Sequence, residues 1–133
     1  MSSRRSELAR QAARLFAEKG YHGTSIGDLA RAIGVQKGSL YAHIASKQDL
    51  LYETMRDGSL AFHAALDAID DRLPAVEKLR LALRAHLRVI GEQLDVATVF
   101  VREWRYLEGE RGEAFVRERR RASRISPRRS PSR

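Results

Sequence analysis

The segment TSIGDLARAIGVQKGSLYAHIASKQDLL, residues 24–51, holds the starts of three consecutive helices and the stops of the first two. Ser25 precedes an apolar-periodic run, and Asp28 lies three positions on. This is the spacing of a capping box, in which each side chain accepts from the other residue's backbone N–H. A helix is therefore predicted from there to about residue 33. Gly34 can take the positive φ of a sharp inter-helix turn, and Val35 supplies the apolar side chain that plugs the corner beneath it. A short helix over about 36–44 follows, and Ser46 caps a longer one that begins at Lys47.

Working back towards the N-terminus, Leu8, Ala12, Leu15 and Phe16 recur at three- and four-residue spacing, which predicts a helix over 6–19 closed by Gly20. Working forward, the helix from Lys47 offers Leu50, Leu51, Met55, Leu60, Ala64 and Ile69 to a core, with Gly58 marking a bend. Residues 70–74 read as a break, because proline is tolerated at a helix start and not in its interior. The helix from Pro74 carries the stripe Val76, Leu79, Leu83, Leu87, Ile90 and Leu94. After a joint near Asp95, Val96, Val99, Phe100, Trp104 and Leu107 suggest another helix, and residues 108–121 a seventh. No alternating apolar-polar run stands out, so the expected fold is all-α: a three-helix helix-turn-helix domain at 1–50, then a second helical region at 51–121. The tail at 122–133, rich in Ser, Arg and Pro with Ile125 as its large apolar residue, is expected to be disordered.

The 133 residues suffice for one modest core or two small units sharing an interface. A formal net charge of +8 favours a polyanionic partner, but its distribution is uneven. Residues 1–56 hold nine Lys/Arg against five Asp/Glu, residues 57–116 eight against eleven, and residues 117–133 eight against one. The basic excess sits mainly at the C-terminal end, so the helical motif and not the overall charge carries the argument for DNA. The absence of cysteine excludes disulfides and thiolate metal sites and fits a cytoplasmic location. With no apolar run near the ~20 residues of a membrane span and no apolar N-terminal signal, a soluble protein without a membrane partner is expected. There is no cysteine nucleophile, Gly-x-Ser-x-Gly elbow, phosphate-binding Walker loop or His/Glu cluster, so an enzyme is not expected. His22, His63 and His86 lack paired ligand spacing, and no metal or cofactor is expected. Glu103, Trp104, Arg105 and Tyr106 read either as a polar site or as a helix surface with Trp104 and Leu107 turned inward.

Over residues 6–55 the chain resembles the TetR family of transcriptional regulators. The resemblance lies in Thr24-Ser25, the apolar-Ala dyad Leu29-Ala30, the turn Gly34-Val35, the run Gly38-Ser39-Leu40-Tyr41-Ala42-His43, and Lys47. It implies a regulator, most simply a repressor, whose third helix enters the major groove of double-stranded DNA with its N-terminal residues near base edges. On that placement Lys37 can donate to guanine O6 and N7, Gln36 can pair with adenine, and Gly38 lets the backbone approach closely. Thr24, Ser25, Ser39, Tyr41, His43 and Lys47 have donors suited to phosphate oxygens, and matching family positions serve largely that purpose. Each has a plainer reading: core packing for Tyr41, an ordinary surface residue for His43, a solvated helix-start charge for Lys47. Leu40 is read as core.

The resemblance further implies that residues 51–121 are an incomplete helical ligand-binding and dimerisation domain, with a ligand pocket there and, in the family, a homodimer interface from the last two helices. The segment VATVFVREWRYLEGERGEAFVRERRR, residues 96–121, resembles members that regulate fatty-acid or sterol breakdown and respond to acyl-coenzyme A compounds, which points to a small apolar or acyl-CoA effector. The helical pattern ends near Arg121, where the family would place two more helices, so dimerisation is in doubt and a weak or monomeric DNA binder is the expectation. A frame-shifted or truncated gene accounts for the Ser/Arg/Pro tail, as does a basic extension that adds nonspecific affinity. The alternative function is a subunit that pairs with a full-length relative, or nucleic-acid binding without sequence choice.

Overall fold

A computed structural model describes residues 3–123, and among them every regular element is helical. Helix α1 spans Arg4–Lys19, α2 Ile26–Ala32, α3 Lys37–Leu40, α4 Lys47–Asp67, α5 Ala75–Glu92, α6 Leu94–Arg102 and α7 Gly109–Ser123, with a 3₁₀ turn at Trp104–Tyr106 between the last two. The all-α expectation holds. The part of the C-terminal tail beyond residue 123 lies outside the described residues, and α7 runs two residues past the expected end of the helical region.

Local chemistry sets the first four helices. Ser3 caps α1 by accepting from the Ser6 N–H, so the helix begins at Arg4. Gly20, at φ 81°, closes it with its N–H on the Phe16 carbonyl. The capping box of α2 forms in both directions, Ser25 Oγ accepting from Asp28 N–H at 3.0 Å and Asp28 Oδ2 from Ser25 N–H at 2.9 Å. Gly34 turns the chain at φ 70°, and the Val35 N–H returns to the Ala30 carbonyl at 3.0 Å. Helix α3 is shorter than its sequence suggests. After Leu40 the Ala42 and His43 N–H groups reach back three residues, to Ser39 and Leu40, so the expected final turn tightens into 3₁₀ form before Ile44 enters the core.

One core joins the two halves. Leu8, Ala12, Leu15 and Phe16 of α1 pack with Leu29, Ala30, Leu40 and Ile44, with Leu50, Leu51 and Met55 of α4, and with Val99 and Leu107 from the second half. Helix α4 runs unbroken through Gly58, where a Cβ would lie 2.5 Å from Val96 Cγ1, so the missing side chain lets α6 cross close by.

Two sequence expectations about the core are corrected. Leu60 and Ala64 of α4 are exposed. The α5 stripe also faces outward, with Val76 80%, Leu79 61%, Leu83 57% and Leu87 68% exposed, and Leu94 at the start of α6 63% exposed; Ile90 alone of the set is half-buried. Helix α5 instead turns Leu81, Ala82, Ala85 and Val89 inward and packs on α4. Periodicity finds both faces of such a helix, and the small residues let the helices approach closely, so the bulkier face is left outside.

Candidate nucleic-acid interface

Gln36, Lys37, Gly38 and Ser39 form the start of α3, and all four are exposed. Space is open around the position a Gly38 Cβ would occupy. Beneath this surface Leu40 is completely buried, which anchors the helix to α1 and α2. Ser25 is exposed at the start of α2. Tyr41, 53% exposed, is not a core residue, which removes the plainer reading of it. His43 is half-buried, and its carbonyl accepts from Arg5 Nη1 at 3.3 Å.

Thr24 is a correction. It is fully buried, its hydroxyl donating to the Gly20 carbonyl at 2.8 Å and lying 3.2 Å from that of Leu15, so it staples the end of α1 and cannot reach a phosphate. Lys47 is half-buried with Nζ 4.2 Å from the centre of the Tyr21 ring, and burial lowers its pKa from the ordinary value. It is therefore neither free nor fully solvated.

Sequence reasoning missed the polar joint between the head and the rest of the molecule. Glu103, buried at the end of α6, accepts from the Tyr21 N–H at 3.3 Å. Gln48, in the first turn of α4, donates to Tyr21 Oη at 2.8 Å and to the Tyr106 carbonyl at 2.7 Å, and accepts from the Glu108 N–H at 3.2 Å. The Tyr21 and Tyr106 rings stack at 5.8 Å, with His22 edge-on to Tyr106 at 4.4 Å. Arg111 adds an ion pair to Asp49. The sequence marks Glu103 and Tyr106 among these residues, but only as members of a polar run. Trp104 is half-buried and Leu107 buried, the inward orientation of the plainer reading.

A cavity of about 480 Å³ lies between α4, α5, α6 and α7. Phe62, Leu66, Ile90, Phe100 and Phe115 make it apolar, and His63 and His86 give it polar edges. Phe100 lies one helical turn before Glu103, so the cavity and the joint share α6. Among the described residues no helix is long and apolar enough to cross a membrane, and no cluster of His, Cys, Asp or Glu could hold a metal ion.

The capped turn, the exposed start of α3 and the helices behind them define a helix-turn-helix protein with an appended helical domain. Residues 8–54 match the family described as bacterial regulatory proteins, tetR family, and residues 72–126 match the tetracyclin repressor-like C-terminal domain. The chain belongs to the TetR family. It is 30% identical over 126 residues to the HTH-type transcriptional repressor KstR2 of Mycobacterium tuberculosis, an alignment covering 93% of this chain and 62% of the relative. The crystal structure of PfmR from Thermus thermophilus matches with a TM-score of 0.78 and 32% identity, over 86% of this chain and 63% of that one. AibR, solved with isovaleryl coenzyme A and operator DNA, matches with a TM-score of 0.76 and 29% identity, over 90% and 65%. The chain thus spans about three-fifths of the length of the relatives it matches. These relatives are named as transcriptional regulators and not as enzymes.

Proposed function

We propose that the chain is a sequence-specific DNA-binding transcriptional repressor that presents α3 to the major groove of double-stranded DNA. The observation that carries this reading is the surface run Gln36–Lys37–Gly38–Ser39 on a helix start anchored from below by buried Leu40 and packed against α2. A fixed helix end with long polar side chains and an open glycine suits base contact, and the side chains around it suit phosphate. Lys37 and Gln36 are the proposed base readers. Ser25, Ser39, Tyr41 and His43 position the helix on the backbone, and Lys47 supports that surface from its place over Tyr21.

The proposed effector is a small apolar compound, an acyl-coenzyme A ester being the first candidate. The apolar cavity and the likeness to AibR, whose structure holds isovaleryl coenzyme A, support this. An acyl group against Phe100 would displace α6, and through Glu103 and Gln48 this displacement reaches the turn after α1 and the start of α4.

The test measures binding of the intergenic DNA beside the protein's own gene against unrelated DNA, at two salt concentrations, with Lys37→Ala and Tyr41→Ala variants. A preference for the intergenic fragment that Lys37→Ala weakens, and that isovaleryl-CoA or a longer acyl-CoA reverses, supports the whole reading. Equal, steeply salt-dependent binding to both fragments overturns it in favour of nonspecific attachment.

A further inference from the structure

We infer that Arg4 and Arg5 are positioning residues that set the direction of α3 by holding both ends of the segment that carries it. The consequence for DNA rests on the reading of α3 as the groove-entering helix; the clamp itself is a property of the free protein. Helix α3 has four residues and no side chain capping its start, and a helix so short has little stability of its own. Leu40 is its one buried side chain. A single anchor fixes the depth of a helix better than the direction of its axis.

The two arginines supply that direction from α1. Arg4 Nη1 donates to the carbonyl of Ile33, the C-cap of α2, at 3.1 Å, in a partly buried bond. Arg5 Nη1 donates to the carbonyl of His43, where the tightened turn after α3 ends, at 3.3 Å. The last carbonyls of a helix lack partners within it, and a cationic donor suits them in both hydrogen bonding and charge. Neighbouring side chains on a helix point about 100° apart, so two adjacent residues can reach in different directions from one turn. Between the two carbonyls lie the turn at Gly34 and the proposed base readers Gln36 and Lys37.

Arg5 also forms an ion pair through Nη2 with Glu53 of α4, whose side chain is 16% exposed. The guanidinium fork lets one side chain hold a carbonyl and a carboxylate together, so Arg5 ties the end of α3 to α4 as well as to α1. Its charge is answered by Glu53, which sets it apart from an arginine held free for phosphate. If the clamp is released, α3 keeps its anchor at Leu40 and loses its direction. Base contacts depend on exact placement, whereas attraction to phosphates does not, so the loss falls on the choice of sequence and not on attraction to DNA in general.

Hydrogen exchange of the full chain without DNA tests the clamp directly. Arg5→Ala should speed exchange of the Leu40, Ala42, His43 and Ile44 amides roughly tenfold, the order expected for one charge-assisted hydrogen bond, and Arg4→Ala should do the same for Gly34 and Val35. The Phe16 and Leu51 amides should stay slow in both variants. Unchanged exchange around α3, or equal acceleration through the whole core, overturns the inference. Binding to the intergenic and unrelated fragments over a range of salt then separates positioning from contact. Arg5→Ala should cut the preference about tenfold with the salt slope unchanged, Glu53→Ala should lose part of that preference, and the double variant should be no worse than Arg5→Ala alone. A salt slope lowered by about one in Arg5→Ala, together with tighter DNA binding by Glu53→Ala, would make Arg5 a direct phosphate contact and overturn the inference. If the unaltered chain shows no preference between the fragments, the DNA reading fails by itself, and the exchange result still decides the clamp.

Discussion

The two ends of α4 obey the same periodicity and meet different fates. At its start, Leu50 and Leu51 are completely buried and Met55 almost so; beyond Gly58, Leu60 and Leu66 are exposed. The difference lies in the neighbours and not in the helix. The first half is enclosed by α1, by Leu40 and Ile44, and by Val99 and Leu107, whereas beyond Gly58 the neighbours are α5 and an open cavity. The N-terminal head, from α1 to the start of α4, is thus a finished core, and the second half of the molecule keeps much of its apolar surface outside. A stability map of the chain should follow that division.

The largest expected contrast is between Phe16→Ala and Leu83→Ala. Phe16 is fully buried in the head, so its truncation loses transfer free energy and leaves a cavity, about 3–5 kcal/mol in urea unfolding. Leu83 is 57% exposed, and its truncation should cost no more than about 0.5 kcal/mol. Comparable losses at the two sites would mean that α5 is covered in solution and that the contrast between the regions does not exist.

A smaller effect is expected where the two regions meet. Gln48→Ala removes two donated hydrogen bonds and one accepted one at the joint of Tyr21, Tyr106 and Glu108. At a net of roughly 0.5–1.5 kcal/mol per bond and partial solvent access, a loss of about 1–2 kcal/mol follows. The informative readout is hydrogen exchange. The Tyr21 and Glu108 amides should lose protection while those of the α4 core stay slow, whereas uniform loss across the head would mean that Gln48 supports the whole core and not a joint.

The head was legible in the sequence because its signals are local. Ser25 and Asp28 are three positions apart, Gly34 is a single residue with one conformational role, and each was readable without knowing any neighbour. The exposed positions proposed to meet DNA were legible for the same reason, as the start of a short helix. Thr24 was misjudged because a hydroxyl beside a cap looks the same whether it faces solvent or closes onto the Gly20 carbonyl. The joint was illegible in kind: Glu103 and the Tyr21 N–H are 82 positions apart, and no spacing rule connects them. For α5 the pattern revealed an apolar stripe but not that Ala82, Ala85 and Val89 would win the inward position. That outcome depends on close approach to α4, a tertiary matter.

The smallest prediction separates the regions by how their carboxylates are held. Asp28 has its pKa lowered to about 2, chiefly by the backbone hydrogen bond from Ser25, with Lys19 adding to it. Glu77 on α5 is also lowered, chiefly by the side chain of Arg80, with charge from Arg80 and Arg84. A depressed folded-state value means that each group stabilises the fold above its unfolded value, and that this contribution is lost as pH falls through the folded one. For Asp28 the window runs from its ordinary 3.8 down to about 2. Both groups lie at the surface, but a backbone bond fixed by the capping geometry resists salt, while an ion pair on flexible stems is screened. Carboxyl titration by NMR at low and high salt should leave Asp28 near 2 in both conditions and move Glu77 back towards 4.5 at high salt. If Asp28 moves as far as Glu77, its depression comes from Lys19 and Arg31 and not from the cap. The head would then owe that part of its order to the same screened surface charges as α5.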